Sequence, residues 1–572
     1  MTKTIIIHRL MTKHAYRMKE QPWQEYPRPM MKRDSYFCLN GKWDFGVRQK
    51  GHPNVFDCKI LVPFSPESAL SGLERIYPED RVLLYRKTFI LPEGFERDRT
   101  FLHFGAVDQR ARVYLNGVLL IDHVGGYTPF SMEVTEYLQT ENELVVKVED
   151  HLSDLVYPYG KQCRNRGGMW YTPISGIWQT VWMESVPKQY IESVNADVVG
   201  SLATISAQGV KDGVVKVQTP DGEKIATLED GVAKIELGEA RFWTPEDPYL
   251  YHYSVETKED RVESYFAVRT LTVEEVNGVK RLCLNGKPYF FHGLLDQGYF
   301  SDGIFTPASP AAYTEEIERV KALGFNTLRK HIKIEPQIFY AECDRLGMIV
   351  WQDMINNGDY KYVRDTVLPT IGFIYKKDKR IHRNEKMREV FLESMKETVS
   401  LLKCHPCICL WTIFNEGWGQ FESDKAYKML KELDGTRFID TTSGWFQCGD
   451  SDVDSRHIYF RKIKLKPKKK PLVVSEFGGY TYSVEKHIFN SSESYGYGAC
   501  KTREEFVAKL RALYENEVIP LAQRGGSGAI YTQVSDVEDE VNGLFTYDRE
   551  VVKVKPEEFA DIGERLQAAV KE

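Results

Sequence analysis

The alternation of apolar and polar residues changes character twice along this chain. From about residue 35 to residue 186, strand-length runs dominate: RVLLYRKTFIL, FLHFGAVDQRARVYLNGVLLIDHV, NELVVKVED and GIWQTVWMESV are rich in Val, Leu, Tyr, Phe and Trp. Turn residues separate these runs, with no helical stretch between them. Asn116-Gly117, between VYL and VLL, is a two-residue hairpin signal, because both central positions of such a turn need positive φ. Strands in this arrangement predict a jelly-roll-type sandwich over residues 1–187. A second, shorter β region covers 188–274. There VVKVQTPDGEKIATL sets Asp221-Gly222 between two alternating runs, and YLYHYSVET reads as another strand. About seven strands in that length fit an immunoglobulin-like sandwich.

From 275 to 572 the pattern alternates. LCLNGKPYFFHGLL reads as a strand pair, and Ile317, Val320 and Leu323 recur at helical spacing before NTLRKH. GMIVWQDM, CICLWTIFNEG, RFIDTTSGW, RHIYF, PLVVSEFGG and GAIYTQVSD supply the further strands. Helical stretches include NEKMREVFLESMKETVSLLK and FADIGERLQAAV, and Thr502-x-x-Glu505 forms a capping box before Phe506, Leu510 and Leu513. Such alternation predicts a parallel (β/α)8 TIM barrel as the third unit.

Composition narrows the classes of function. The chain has 572 residues, 76 Lys+Arg against 82 Asp+Glu and a formal charge of −6, so no global basic field recruits nucleic acid. No apolar run reaches the roughly 18–20 residues of a membrane span. Ile5-Ile6-Ile7 is too short for the core of a signal peptide. Ten cysteines at irregular spacing argue against a disulfide framework and for a reducing, cytoplasmic setting. A homo-oligomer is compatible with all of this.

Two barrel strands end alike. CICLWTIF is continuously apolar, as a strand buried on both faces should be, and stops at Asn415-Glu416-Gly417; PLVVS stops at Glu476-Phe477-Gly478-Gly479. Carboxylates at the C-terminal ends of barrel strands lie on the face where barrel active sites are built, and a pair of them suits glycoside hydrolysis. Arg329 and His331, in NTLRKH, are at a third strand end, where Arg329 would hold a nucleophile ionised and His331 would bond sugar hydroxyls. Asp296 and Asp353 are candidate hydroxyl acceptors, Tyr459 a phenol donor and Trp445 a stacking face.

Three other motifs carry no chemistry of their own. Cys404-His405-Pro406-Cys407-Ile408-Cys409 has half the ligands of a metal knuckle, with no second Cys/His cluster to complete it, and runs into an apolar strand. The seven positive charges in residues 461–470 read as a solvated loop. Gln523-Arg524-Gly525-Gly526-Ser527-Gly528 lacks the Lys-Ser/Thr ending of a phosphate loop. No metal and no cofactor is called for.

The chain resembles glycoside hydrolase family 2, the β-galactosidase, β-glucuronidase and β-mannosidase group. LNGKWDF at 39–45, YRKTF at 85–89, VYLNG at 113–117 and GIWQTVW at 176–182 are similar to its sugar-binding-like sandwich. WTPEDPYLY at 243–251 and FAVRTL at 266–271 are similar to the end of its immunoglobulin-like domain. LNGKPYFFHGL, GFNTLRKH, CDRLGMIVWQDM, FNEG and SEFGG follow in the family's order, the last two being the specific markers. The resemblance implies a retaining exo-β-glycosidase with Glu416 as acid/base, Glu476 as nucleophile and Asn415 on the sugar 2-hydroxyl. Two departures touch the sugar subsite: Arg329-Lys330-His331 where relatives often have Arg-Thr-Ser-His, and Val534 in IYTQVSD where a Trp is common.

The resemblance also bears on the glycone. β-Glucuronidases of the family carry an Asn-x-Lys motif whose lysine pairs with the uronate. Here the similar stretch reads Asn542-Gly543-Leu544, with Asp536, Glu538, Asp539 and Glu540 nearby. An anionic sugar would therefore meet like charge unless a cation came from elsewhere. The expectation is a neutral glycone, β-galactoside first. Glucuronide, galacturonide and mannoside hydrolysis, or a non-catalytic carbohydrate-binding protein, are the alternatives.

Overall fold

Why the two N-terminal regions form sandwiches is visible in their paired sheets. In the computed structural model, which describes residues 7–370, 373, 377–379 and 381–571, the first region folds as a sheet of six strands facing one of four. Trp43, Phe45, Tyr85, Leu102, Phe104, Val113 and Val146 fill the space between them. Leu115 pairs with Val118 across Asn116 (φ 50°) and Gly117 (φ 83°), as the sequence motif demands. Of the short apolar run Ile5-Ile6-Ile7, the first two residues lie outside the described part.

The second region has seven strands in sheets of three and four, closed over Ile205, Val215, Val217, Tyr251 and Val255. Its Asp-Gly signal is shifted by one position: Thr219 pairs with Gly222, so the two-residue loop is Pro220-Asp221 and Gly222 already belongs to the returning strand.

A small antiparallel sheet, Leu271–Val276, Val279–Leu284 and Lys287–Pro288, leads into the barrel. The barrel's strands are β1 (Phe291–Asp296), β2 (Thr327–Lys330), β3 (Ile349–Asp353), β4 (Ile408–Asn415), β5 (Phe438–Ser443), β6 (Asp454–Ile458), β7 (Leu472–Phe477) and β8 (Gly526–Tyr531). They run parallel in the order β5-β4-β3-β2-β1-β8-β7-β6, a ring hydrogen-bonded everywhere except between β5 and β6. All but β6 are buried along their whole length, which explains the apolar runs CICLWTIF and PLVVS that lead up to the ends of β4 and β7.

The expected (β/α)8 alternation holds for six units. Helices follow β1 (Ala311–Ala322), β2 (Gln337–Leu346), β3 (Glu385–Leu402), β4 (Ser423–Leu433), β7 (Arg503–Leu513) and β8 (Asp561–Ala569). No helix follows β5 or β6; residues 444–453 and 459–471 are loops. The first is too short for a helical crossover, and the second holds the basic run with its Pro and Lys residues. At Thr502 the hydroxyl accepts the Glu505 N–H at 3.2 Å, while the Glu505 carboxylate takes the N–H of Lys501. Among the described residues, no helix is long and apolar enough to cross a membrane.

One segment outside the barrel matters for the site. Residues 159–172 of the first sandwich lie across the barrel's C-terminal face. Tyr159 donates its N–H to the Asn356 carbonyl (3.1 Å) and its hydroxyl to that of Gly358 (2.8 Å). Gly160 adopts φ +65°, and a Cβ there would lie 2.8 Å from the Ile332 carbonyl. Farther on, Arg166 meets Asp539 at 3.1 Å, Thr172 N–H donates to Glu538 at 2.8 Å, and the Tyr171 hydroxyl donates to Glu540.

Candidate active site

The C-terminal strand ends converge as sequence reasoning expected. β4 carries Asn415, and the chain then turns sharply: Glu416 takes φ 50° and Gly417 φ 79°. A non-glycine residue held in that region costs about 1–3 kcal/mol and persists only where the surroundings fix it. Here the Glu416 N–H donates to the Ser443 carbonyl of β5 at 2.9 Å. From β7, Glu476 faces it across the mouth. Oxygens of the two carboxylates and a ring nitrogen of His457 all lie within 4.8 Å of one another.

Glu476 is held on both oxygens. Arg329 from β2 donates to Oε1 at 3.0 Å, and the Tyr459 hydroxyl donates to Oε2. Burial acts to raise this carboxyl, but the fields of His457, Arg329 and His331 and the Tyr459 hydrogen bond outweigh it, so the net shift is downward. Glu476 is thus kept ionised, as a nucleophile must be.

Arg329 is fully buried and organises the centre. Its fork also reaches Asp353 (3.0 Å), the Asn415 amide oxygen (2.9 Å) and the Ser475 carbonyl (3.0 Å). That fixes the Asn415 amide and leaves its nitrogen without a partner among the described residues. His331 uses Nδ1 against Asp353 at 2.7 Å, with burial drawing its imidazole down against that hydrogen bond. Its Nε2 has no hydrogen-bond partner among the described residues.

Two expected hydroxyl acceptors are instead occupied by the protein's own cations. Asp353 is occupied on both oxygens by Arg329 and His331, so it orients those two side chains. Asp296 takes Lys330 at 2.5 Å and the Gly298 N–H at 2.8 Å, because Lys330 points outward to it and to Glu335. Tyr459 is in the site, stacked on Tyr497 with centroids 4.1 Å apart, but it donates to the carboxylate of Glu476. Trp445 is half-buried at the rim, 6.0 Å from the His457 ring.

Three residues, His457, Trp418 and Lys161, were not singled out from the sequence, and Glu540 was read only as part of an acidic stretch. His457, on the polar strand β6, lies between the glutamates, its Nδ1 2.8 Å from Glu416 and 3.5 Å from Glu476. Its strand-end position in RHIYF was the available signal. Trp418, two residues after Glu416, stacks on Trp170 of the sandwich (5.5 Å). Lys161 reaches over Trp418, its ammonium 4.7 Å from the ring centre. Glu540 receives the Tyr171 hydroxyl and Gln533. The cysteine motif is taken up in packing: His405 meets Asp344 at 2.7 Å, and Cys407 and Cys409 are buried.

Comparison with known proteins fits this geometry. Residues 275–553 match the family model "Glycosyl hydrolases family 2, TIM barrel domain", and residues 75–161 match "Glycosyl hydrolase 2 galactose-binding domain-like". A β-galactosidase of Thermoanaerobacter pseudethanolicus is 23% identical over 445 residues, 70% of this chain and 54% of the relative. The chain spans about half the length of the first curated relatives it matches. Among solved structures, an uncultured Clostridium sp. β-glucuronidase superimposes with a TM-score of 0.71 at 20% identity, covering 96% of this chain and 100% of that one. A GH2 β-galacturonidase from Eisenbergiella tayi bound to galacturonate gives 0.66 at 18%, covering 95% and 98%. At these identities the structural likeness speaks for the fold alone.

Proposed function

The chain belongs to glycoside hydrolase family 2, and from that premise we propose that it is a retaining exo-β-glycosidase releasing β-linked sugars from non-reducing ends. One observation carries the reading: Glu416 and Glu476 bring carboxylate oxygens within 4.8 Å of each other. That close approach suits direct attack by one carboxylate, whereas inversion needs roughly 6.5–9.5 Å to admit a water between them. In the first step Glu476 attacks the anomeric carbon, the glycosidic bond breaks, and the departing oxygen takes the proton of Glu416. In the second, Glu416 removes a proton from water. The water oxygen then attacks the anomeric carbon, and Glu476 leaves as a carboxylate. Asn415, its oxygen held by Arg329, offers its amide nitrogen to the sugar. Retention of this whole arrangement weighs against a purely sugar-binding role.

The case for a neutral glycone rested on the acidic stretch 536–540 and on Leu544. Asp536, however, is paired with Lys553 (2.6 Å) and Asp539 with Arg166 (3.1 Å), Glu538 caps the Thr172 N–H, and Leu544 is fully buried. The objection to an anionic sugar therefore loses most of its basis. Relatives named as β-galactosidase, β-glucuronidase and β-galacturonidase keep both classes within the proposal.

Aryl 2-deoxy-2-fluoro β-glycosides of both classes test the mechanism. One of them should label the peptide containing Glu476, and Glu476→Gln should lose both label and turnover while still folding cooperatively. Label on another residue, or an active Gln variant, overturns the assignment.

A further inference from the structure

We propose that Lys161, contributed by the first sandwich, selects the substrate: its ammonium receives the carboxylate of a β-linked uronic acid in the barrel mouth. This rests on the glycosidase reading above and names its glycone.

Four lysines are buried among the described residues: Lys161, Lys330, Lys333 and Lys553. Three of them are satisfied by carboxylates. Lys330 has Asp296 at 2.5 Å and Glu335 at 2.8 Å, Lys333 has Glu335 at 2.9 Å, and Lys553 has Asp536 at 2.6 Å. Lys161, only 7% exposed, has neither an ion pair nor a hydrogen bond from its ammonium among the described residues. A buried cation without an acceptor is costly, and the chain meets that cost by direct pairing in the other three cases. At Lys161 only ring faces are supplied, Trp418 at 4.7 Å and Trp170 at 5.8 Å. Such contacts hold a cation in place without using its N–H donors.

The lysine is also fixed where a glycone must sit. Its backbone neighbours are tied down: Tyr159 to Asn356 and Gly358, Gly160 against Ile332, and Gln162 to Asp108 (3.1 Å) and the Tyr127 hydroxyl (3.0 Å). Besides burial, the charged groups whose field it feels are Glu540, Glu476, Glu416 and Arg329, so its ammonium lies within the field of the two proposed catalytic groups. Burial draws the ammonium down against that field, and a bound carboxylate would oppose the burial effect. Glu540 does not neutralise it by contact, since its bonds go to Tyr171 and Gln533 and burial pushes its own carboxyl up. An anionic glycone thus completes a charge pair that the protein leaves open. A neutral sugar would offer only a hydroxyl between Lys161 and Glu540.

Matched 4-nitrophenyl β-glucuronide, β-galacturonide, β-galactoside and β-glucoside, assayed with the parent enzyme and with Lys161→Met and Lys161→Arg, decide the matter. The parent should prefer a uronide in kcat/KM. Lys161→Met should lower uronide kcat/KM about 100-fold, mostly through KM, as loss of one partner of a desolvated charge pair does. Neutral glycosides should change less than about 5-fold, and Lys161→Arg should keep the uronide preference. If Lys161→Met melts well below the parent, its uronide-to-neutral ratio of kcat/KM, measured below its melting temperature, still serves, because a merely structural loss lowers both classes alike and leaves that ratio at the parent's value. Preference for a neutral glycoside, or an equal loss on both classes, overturns the assignment. If a neutral fluoro-sugar labels Glu476 in that event, the glycosidase reading survives and only the role of Lys161 falls. If no glycoside of either class is cleaved and none labels Glu476, both fall.

Discussion

Replacing Tyr459 by Phe isolates one interaction at the proposed nucleophile. The ring and its stack on Tyr497 are kept, and only the hydroxyl that donates to Glu476, with Thr532 Oγ1 3.2 Å away, is lost. A hydrogen bond to a charged group contributes about 1.5–3 kcal/mol, which corresponds to about a 10- to 150-fold change in rate if it is fully expressed in one step. That step is the second one. In the glycosyl-enzyme the Glu476 oxygen is an ester, and negative charge returns to it as it departs, so the phenol stabilises the transition state more than the intermediate. In the first step the same hydrogen bond stabilises the attacking carboxylate, so its loss is partly offset. Stopped-flow assays with an activated aryl glycoside should therefore show a burst of aryl release, a lower kcat and a lower KM. The pH profile gives a second reading. The Tyr459 hydrogen bond helps to depress the Glu476 carboxyl, so without it the acidic limb of kcat/KM should move to higher pH. The stability consequence has the matching sign. A depressed carboxyl stabilises the fold above its unfolded pKa and loses that contribution as pH falls through the folded value, so the variant's deficit should shrink in acid. An unchanged kcat with an unmoved acidic limb would refute the assignment of Glu476 as an ionised nucleophile held by Tyr459.

Two further outcomes follow from the same geometry. Glu416→Ala should slow glycosides with poor leaving groups far more than nitrophenyl glycosides, and added azide should restore turnover by attacking the glycosyl-enzyme; equal losses with no azide effect would exclude the acid/base role. Gly160→Ala introduces a side chain at φ +65° and within 2.8 Å of the Ile332 carbonyl, so it should cost at least about 1–2 kcal/mol and raise KM by shifting Lys161, whereas unchanged melting and KM would show that the loop adapts freely.

The parts of the site legible in the sequence are those in which local pattern and position coincide. CICLWTIF and PLVVS are apolar because β4 and β7 are buried on both faces, so the first acidic residue after each marks the barrel mouth. His457 lacked that contrast: β6 reads Asp-Ser-Arg-His-Ile, and its buried Ser455 and His457 look like the residues of an exposed strand. Asp296 and Asp353 were found at the right strand ends, but their direction depends on which cation lies beside them, and Lys330 and Arg329 decided it. The hairpin at Asn116-Gly117 follows from backbone geometry alone and was fully specified. Lys161 was invisible because Trp418, the nearer of the two rings under its ammonium, is hundreds of positions away in the sequence, and no local periodicity encodes such a contact. The two absent helices left a weaker trace, in the short connection after β5 and the Lys-rich one after β6.

The anchoring of residues 159–172 also sets an order of events during synthesis. Domains tend to form as units as the chain emerges, N-terminal parts first. The sandwich that owns Lys161 can close long before Glu538, Asp539 and Glu540 leave the ribosome, yet Thr172, Arg166 and Tyr171 find their partners only among those late residues. A nascent chain halted before that point would hold both proposed catalytic glutamates and most of the barrel, but not the partners that tie residues 159–172 to the barrel's C-terminal face. On the proposed glycosidase reading, hydrolytic competence would then appear as a late, all-at-once property, at the moment when residues 538–540 lock a loop made about 370 positions earlier.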